Sequence, residues 1–324
     1  MKQNICLLFN LFCHAILFAQ DPYIDSLKGK LNGQQDTLYV HTLIQLTAEL
    51  EYDDTKTATR YIQQALDISE KLNYKRGIAK SHYHLGVIFV NDQEMEKSKT
   101  ELNMAASLFK KLAMKQMESN TYSFLGTVAM YEADYGKAIF YFLTRLKMEE
   151  ELNNTQGILM SYNNLGSVYH YQKNYDKSIE YFLKCIPFLE KTNSSGAGDV
   201  YSNIGNLYSI KHKNLIAIEY YDKAIEIKKK DKNKLGLASI YNNRGEANMN
   251  LDNYTDALIN FQEALRIAEE TSDKRNQANA YSHMGTIYSL LKQYPTAITN
   301  YEKSLAIAKQ NNFRKEIKRN YSHI

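Results

Sequence analysis

Eight histidines, three cysteines and a recurring set of amides are the residues of this 324-residue chain that could do chemistry. A metal needs imidazole or thiolate ligands converging on one point at about 2 Å. His82 and His84 stand two residues apart, and on a helix their side chains diverge by about 200°, so one ion cannot take both. His84, His283 and His323 occupy one phase of the repeat described below, but neighbouring helices lie about 8 to 10 Å apart and His84 is several repeats from the other two. His41, His170 and His212 have no partner at ligand spacing, and His14 falls in an apolar N-terminal stretch.

Nucleophilic chemistry fares no better. Cys6 and Cys13 lie in the same N-terminal stretch, leaving Cys185, which has no assignable histidine base and reads as a small buried apolar side chain. The "GAG" at residues 196 to 198 lacks the Lys-Ser or Lys-Thr of a phosphate loop. The acidic "EEE" at 149 to 151 and the basic "KKKDKNK" at 228 to 234 read as solvated helix ends. The expectation is no metal, no cofactor and no enzyme activity.

What does recur is a column of amides and hydroxyls. It comprises Asn163 and Asn164, Ser202 and Asn203, Asn242 and Asn243, then Ser282 and His283, with Thr127, Ser167, Asn206, Glu246 and Thr286 a little further along. Such groups on one helical face can donate to and accept from an extended main chain with little demand on its side chains. The same groups can instead satisfy neighbouring carbonyls or water, and both readings stand at this point.

The elements that position this column follow from a repeat. Glycines fall at Gly86, Gly126, Gly166, Gly205, Gly245 and Gly285, spaced 40, 40, 39, 40 and 40 residues apart. Four residues before them stand His82, Tyr122, Tyr162, Tyr201, Tyr241 and Tyr281. Twelve residues after them stand Ser98, Ala138, Ser178, Ala217, Ala257 and Ala297, and four further on Leu102, Phe142, Phe182, Tyr221, Phe261 and Tyr301. Small residues facing one another let two antiparallel helices approach closely, while the aromatics fill the space beside them. One helix pair cannot bury its apolar face alone, so each must be covered by the next.

This order of residues, as in "YNNLGSVYHYQKNYDKSIEYFLKCI" with Tyr162, Leu165, Gly166, Tyr169, Ser178 and Phe182, resembles the tetratricopeptide repeat in a longer, forty-residue form. The resemblance covers roughly residues 37 to 324, without the family's first tryptophan or late proline. It implies an all-α, right-handed superhelical solenoid of about seven antiparallel helix pairs, the last incomplete. It also implies that the amide column lines the concave groove, where a protein or peptide segment would bind. The first pair begins after Asp36, with Leu46 in place of the glycine.

Three further expectations concern organisation. Residues 1 to 19, with Lys2 before an apolar run to Phe18 and then Ala19, read as a signal peptide followed by a short segment to residue 36, which places the chain in the periplasm or outside the cell. No other segment approaches a membrane span. Pro187 and the "SSGAGD" at 194 to 199 mark either a tolerated bend or a hinge. Forty basic against 36 acidic residues give no nucleic-acid footprint. The array behind a leader resembles the extracytoplasmic input region of bacterial sensor kinases and regulators, and its stop partway through a repeat fits the front part of such a longer protein. The alternative is a secreted or periplasmic assembly scaffold. The oligomeric state is open.

Overall fold

A computed structural model describes residues 22–33, 35–191 and 196–323. Among them are sixteen α-helices, a short 3-10 turn at Lys30–Asn32 and no strand. In chain order the helices are α1 (Pro22–Gly29), α2 (Thr37–Leu50), α3 (Thr55–Lys71), α4 (Lys75–Asn91), α5 (Met95–Lys111), α6 (Lys115–Tyr131), α7 (Tyr135–Glu151) and α8 (Thr155–Tyr171). They continue as α9 (Tyr175–Lys191), α10 (Gly196–Ile210), α11 (Asn214–Lys230), α12 (Leu237–Met249), α13 (Tyr254–Glu270), α14 (Lys274–Leu290), α15 (Tyr294–Gln310) and α16 (Arg314–His323). The chain divides into two compact units, Met1–Gln172 and Lys173–Ile324. The first holds α1 to α8 and the second α9 to α16.

The forty-residue period has a simple origin. Most helices run 17 residues, and a three-residue turn joins most of the described ones to the next, so one helix and one turn take twenty residues. One turn residue is left-handed at Asn73, Gln93, Ala113, Ala133, Asn153 and Lys173, then at His212, Lys232, Asp252, Ser272, Lys292 and Asn312, again twenty apart. After α3, the Asn73 and Tyr74 amides donate to the carbonyls of Glu70 and Ser69 at 3.0 and 2.8 Å, closing the helix end. These bonds offset the roughly 1–2 kcal/mol that a non-glycine residue spends in the left-handed region. The next helix is often capped at once. Asp54, Asp134, Asn154 and Asp273 each accept from the backbone amide three residues on.

Within a pair, the phased glycine is the point of contact. A Cβ on Gly126 would lie 2.5 Å from the Phe142 ring, and on Gly205, Gly245 or Gly285 it would lie 2.6–2.8 Å from Tyr221, Phe261 or Tyr301. Only a hydrogen fits there. The pairs α2/α3, α4/α5 and α6/α7 build the first unit, and α10/α11, α12/α13 and α14/α15 the second. Within each unit the first helices of successive pairs also touch, α2 with α4 and α4 with α6, and α10 with α12 and α12 with α14.

Part of the short segment before the first pair is helical. Pro22–Gly29 forms α1, whose Leu27 is buried, and Leu31 packs on the core shared by α2, α3 and α4. Asp36 caps α2 by accepting from the Leu38 and Tyr39 amides, and Leu46 is fully buried where later repeats carry glycine. Pro187 sits inside α9, which stays helical to Lys191. Residues 192–195, which hold part of the hinge expectation, and residues 1–19, which hold the signal-peptide expectation, lie outside the described residues. No helix among the described residues is long and apolar enough to cross a membrane.

Candidate functional site

The amide column lies on the first helices of the pairs, and the two units treat it differently. In the first unit rings share the equivalent face with hydroxyls and amides. Tyr83 on α4 packs edge-on against Phe124 on α6 at 5.8 Å and against Phe109 at 6.2 Å. Thr127 is buried and its hydroxyl donates to the Ser123 carbonyl. Asn163 and Asn164 on α8 are half-buried, and Ser167 donates to the Asn163 carbonyl at 2.9 Å. Hydroxyls bonded four residues back are satisfied by their own helix.

In the second unit the face is polar. On α10, Ser202, Asn203 and Asn206 are half-buried, and on α12 Asn243 is half-buried and Glu246 exposed. Asn243 Nδ2 donates to Asn206 Oδ1 at 2.9 Å, bridging consecutive first helices. The same Asn206 oxygen accepts from the Tyr221 hydroxyl at 2.8 Å. Two pairs further on, the Tyr301 hydroxyl donates to Thr286 Oγ1 at 3.2 Å, and Thr286 donates to the Ser282 carbonyl. Arg319 on α16 donates to Asn279 Oδ1 at 2.8 Å.

Packing narrows the predicted row. Asn242 is 4% exposed, with Nδ2 donating to the main-chain and side-chain oxygens of Asn276 at 3.2 and 3.1 Å, so it ties α12 to α14. Ser282 is 1% exposed. His283 lies flat on Phe261, ring centroids 5.0 Å apart. A position next to the phased tyrosine can turn toward the neighbouring repeat as readily as toward solvent, which spacing alone does not distinguish.

The charged runs expected to be solvated are not wholly so: Glu149 of the acidic run and Lys228 of the basic run are buried, Lys228 with its Nζ 2.8 Å from Asp199. Arg145 on α7 is 3% exposed and Glu149 is fully buried. Glu149 accepts from Ser119 Oγ at 2.6 Å, Gln116 Nε2 at 3.0 Å and Asn154 Nδ2 at 2.7 Å, with Arg145 Nε 3.7 Å away. Arg145 reaches Ser123 Oγ at 3.0 Å, and burial pulls its pKa below the usual arginine range against the pull of Glu149. On α12, Arg244 meets Asp222 at 2.7 Å and Asn260 Oδ1 at 2.8 Å. The signal was there: Arg145 stands where other repeats carry Ala65, Ala105, Cys185, Ala224, Ala264 and Ser304, and Arg244 where they carry Leu85, Leu125, Leu165, Ile204 and Met284. In a repeat array, a charge at a core phase is a message.

The remaining chemistry-bearing side chains have structural partners. His84 Nδ1 lies 2.7 Å from Glu51, at the end of α2, and His82 Nδ1 lies 2.6 Å from Glu101 on α5, so the two rings part. Among the described residues no group of three or more His, Cys, Asp or Glu is placed to hold a metal. Cys185 is buried, bonds the Tyr181 carbonyl at 3.6 Å, and burial pushes its thiol pKa up to about 12, which keeps the thiolate scarce at neutral pH.

The tetratricopeptide repeat family model matches residues 157–230 and 236–310. Similar solved folds include the apo form of RapI, at 14% identity and a TM-score of 0.62 over 86% of this chain and 98% of that one. The C-terminal part of a repeat-containing protein from Cytophaga hutchinsonii is 16% identical, with a TM-score of 0.61 over 88% and 99%. A Rap protein complexed with Competence and Sporulation Factor is 15% identical, with a TM-score of 0.55 over 92% and 82%. No curated protein sequence matches the chain. At these identities the likeness establishes the fold: an all-α solenoid of antiparallel helix pairs.

Proposed function

Since the chain carries tetratricopeptide repeats, we propose that it is a non-catalytic binding module that holds a protein or peptide segment along the polar face of α10, α12 and α14. The observation that carries this reading is the bridge from Asn243 to Asn206 across consecutive first helices, with Asn203 beside it half-buried and forming no side-chain hydrogen bond among the described residues. Amides held in a row but with capacity to spare suit an extended main chain. The similar Rap fold solved with a bound factor is in keeping with a ligand-holding role.

Random linear peptides displayed on phage and selected on the purified chain supply the probe. Replacing Asn203 and Asn243 together with alanine is expected to weaken the enriched peptides by roughly tenfold or more, from about 0.5–1.5 kcal/mol for each hydrogen bond lost. Helicity by circular dichroism should be unchanged. Equal affinity for wild type and the double variant removes the row as the binding surface.

The reading extends to place. The leader-like residues 1–19 support export, and an exported array of this kind suits the input part of a signalling protein. Expressed from its own start, the chain should appear outside the cytoplasm with a mature N-terminus near Gln20, read by mass spectrometry of the fractionated cells. Recovery of the intact N-terminus from the cytoplasm alone rules out export.

A further inference from the structure

The aromatic residue opposite the phased glycine is phenylalanine at Phe142 and Phe261 but tyrosine at Tyr221 and Tyr301. Packing therefore accepts either ring, and the hydroxyl of Tyr221 needs another reason. That ring is 1% exposed, passes against Gly205, and ends with its hydroxyl on the Asn206 side chain at 2.8 Å. Burial raises the phenol pKa, so the group stays a protonated donor near neutral pH.

A side-chain amide oxygen has two lone pairs. Asn206 Oδ1 spends one on Tyr221 and the other on Asn243 Nδ2. With the phenol donating, the Asn206 oxygen and the Asn243 NH2 are the ends taken up inside the triad. Asn206 is left with its NH2 group to donate, and Asn243 with its Oδ1 to accept, on adjacent first helices. A donor beside an acceptor complements the carbonyl and amide of an extended chain. Without the phenol, the Asn206 oxygen keeps only the Asn243 donor, and the two amides can turn over together and reverse the pattern.

Resting on the reading of the row as the ligand surface, we propose that Tyr221 is a positioning residue, orienting the Asn206 and Asn243 amides so that they present one donor and one acceptor to the main chain of an extended peptide.

The test uses Tyr221→Phe, a ring already tolerated at the equivalent place in other repeats, with the best phage-selected linear peptide and a set of copies each N-methylated at one backbone position. The variant is expected to keep its helicity and to bind the parent peptide about five- to tenfold more weakly, as for one hydrogen bond of about 1 kcal/mol. In wild type, methylation at one position should abolish the contact to Asn243, and that position-specific penalty should shrink in the variant. The side-chain amide NMR signals of Asn206 and Asn243 should shift together. Unchanged affinity and an unchanged methylation pattern in Tyr221→Phe, while Asn206→Ala still weakens binding, overturns the role of Tyr221 and leaves the row intact. Unchanged binding in Asn206→Ala and in the Asn203/Asn243 double variant overturns both.

Discussion

Glu149→Gln is expected to destabilise the first unit by about 3–5 kcal/mol, the usual cost of stranding one member of a buried ion pair. The substitution keeps the shape of the side chain, so the cost comes from charge and hydrogen bonding. The introduced amide would turn its NH2 group either toward Asn154 or toward Ser119 and Gln116, each of which now donates to the carboxylate, and it would leave Arg145 buried without a counter-charge. The pair is asymmetric. Arg145→Met leaves Glu149 with three donors, and so should cost less, about 1–3 kcal/mol. The double variant should then be more stable than the sum of the two singles predicts, because the stranded cation is gone. Urea denaturation followed by circular dichroism measures all three. Simple additivity, or a larger loss from Arg145→Met than from Glu149→Gln, contradicts this account of the node.

The glycine, tyrosine and alanine phases made the helix pairs legible, because close helix approach tolerates few residue types at those points. Leu46, placed as a glycine equivalent, is fully buried on α2, and Asp36, placed as the boundary before the first pair, caps that helix. The site was less legible. Asn206 and Asn243 were in the expected row, but nothing in their spacing revealed that Tyr221 joins them, since a phenylalanine and a tyrosine serve the repeat equally well. Asn242 differs from Asn243 by one helical step, about 100°, and that step decides whether the amide faces a neighbouring helix or solvent. α1 was missed because Pro22–Gly29 lies outside the repeat and is too short for periodicity to declare itself. Arg145 and Glu149 were visible as departures from phase, yet a charge three or four residues from another on a helix also reads as a surface pair. Burial comes from the neighbouring repeats, whose packing a single repeat does not display.

Phe261→Ala is expected to cost the second unit about 3–5 kcal/mol, since it empties the space beside Gly245 and removes the ring on which His283 lies. A stronger test comes from changing the glycine as well. In wild type, Gly245→Ala drives a methyl to within 2.6–2.9 Å of the Phe261 ring and should destabilise by about 1–3 kcal/mol. With alanine at 261 that obstacle is absent, and the new methyl partly fills the cavity while alanine favours the helix over glycine by up to about 1 kcal/mol. The same substitution should therefore change sign, destabilising in the wild-type background and stabilising in the Phe261→Ala background. Thermal and urea unfolding of the four proteins of this cycle read the effect directly. If Gly245→Ala is harmful in both backgrounds, the glycine is retained for some reason other than the approach of the ring, and the contact that sets the geometry of each pair lies elsewhere.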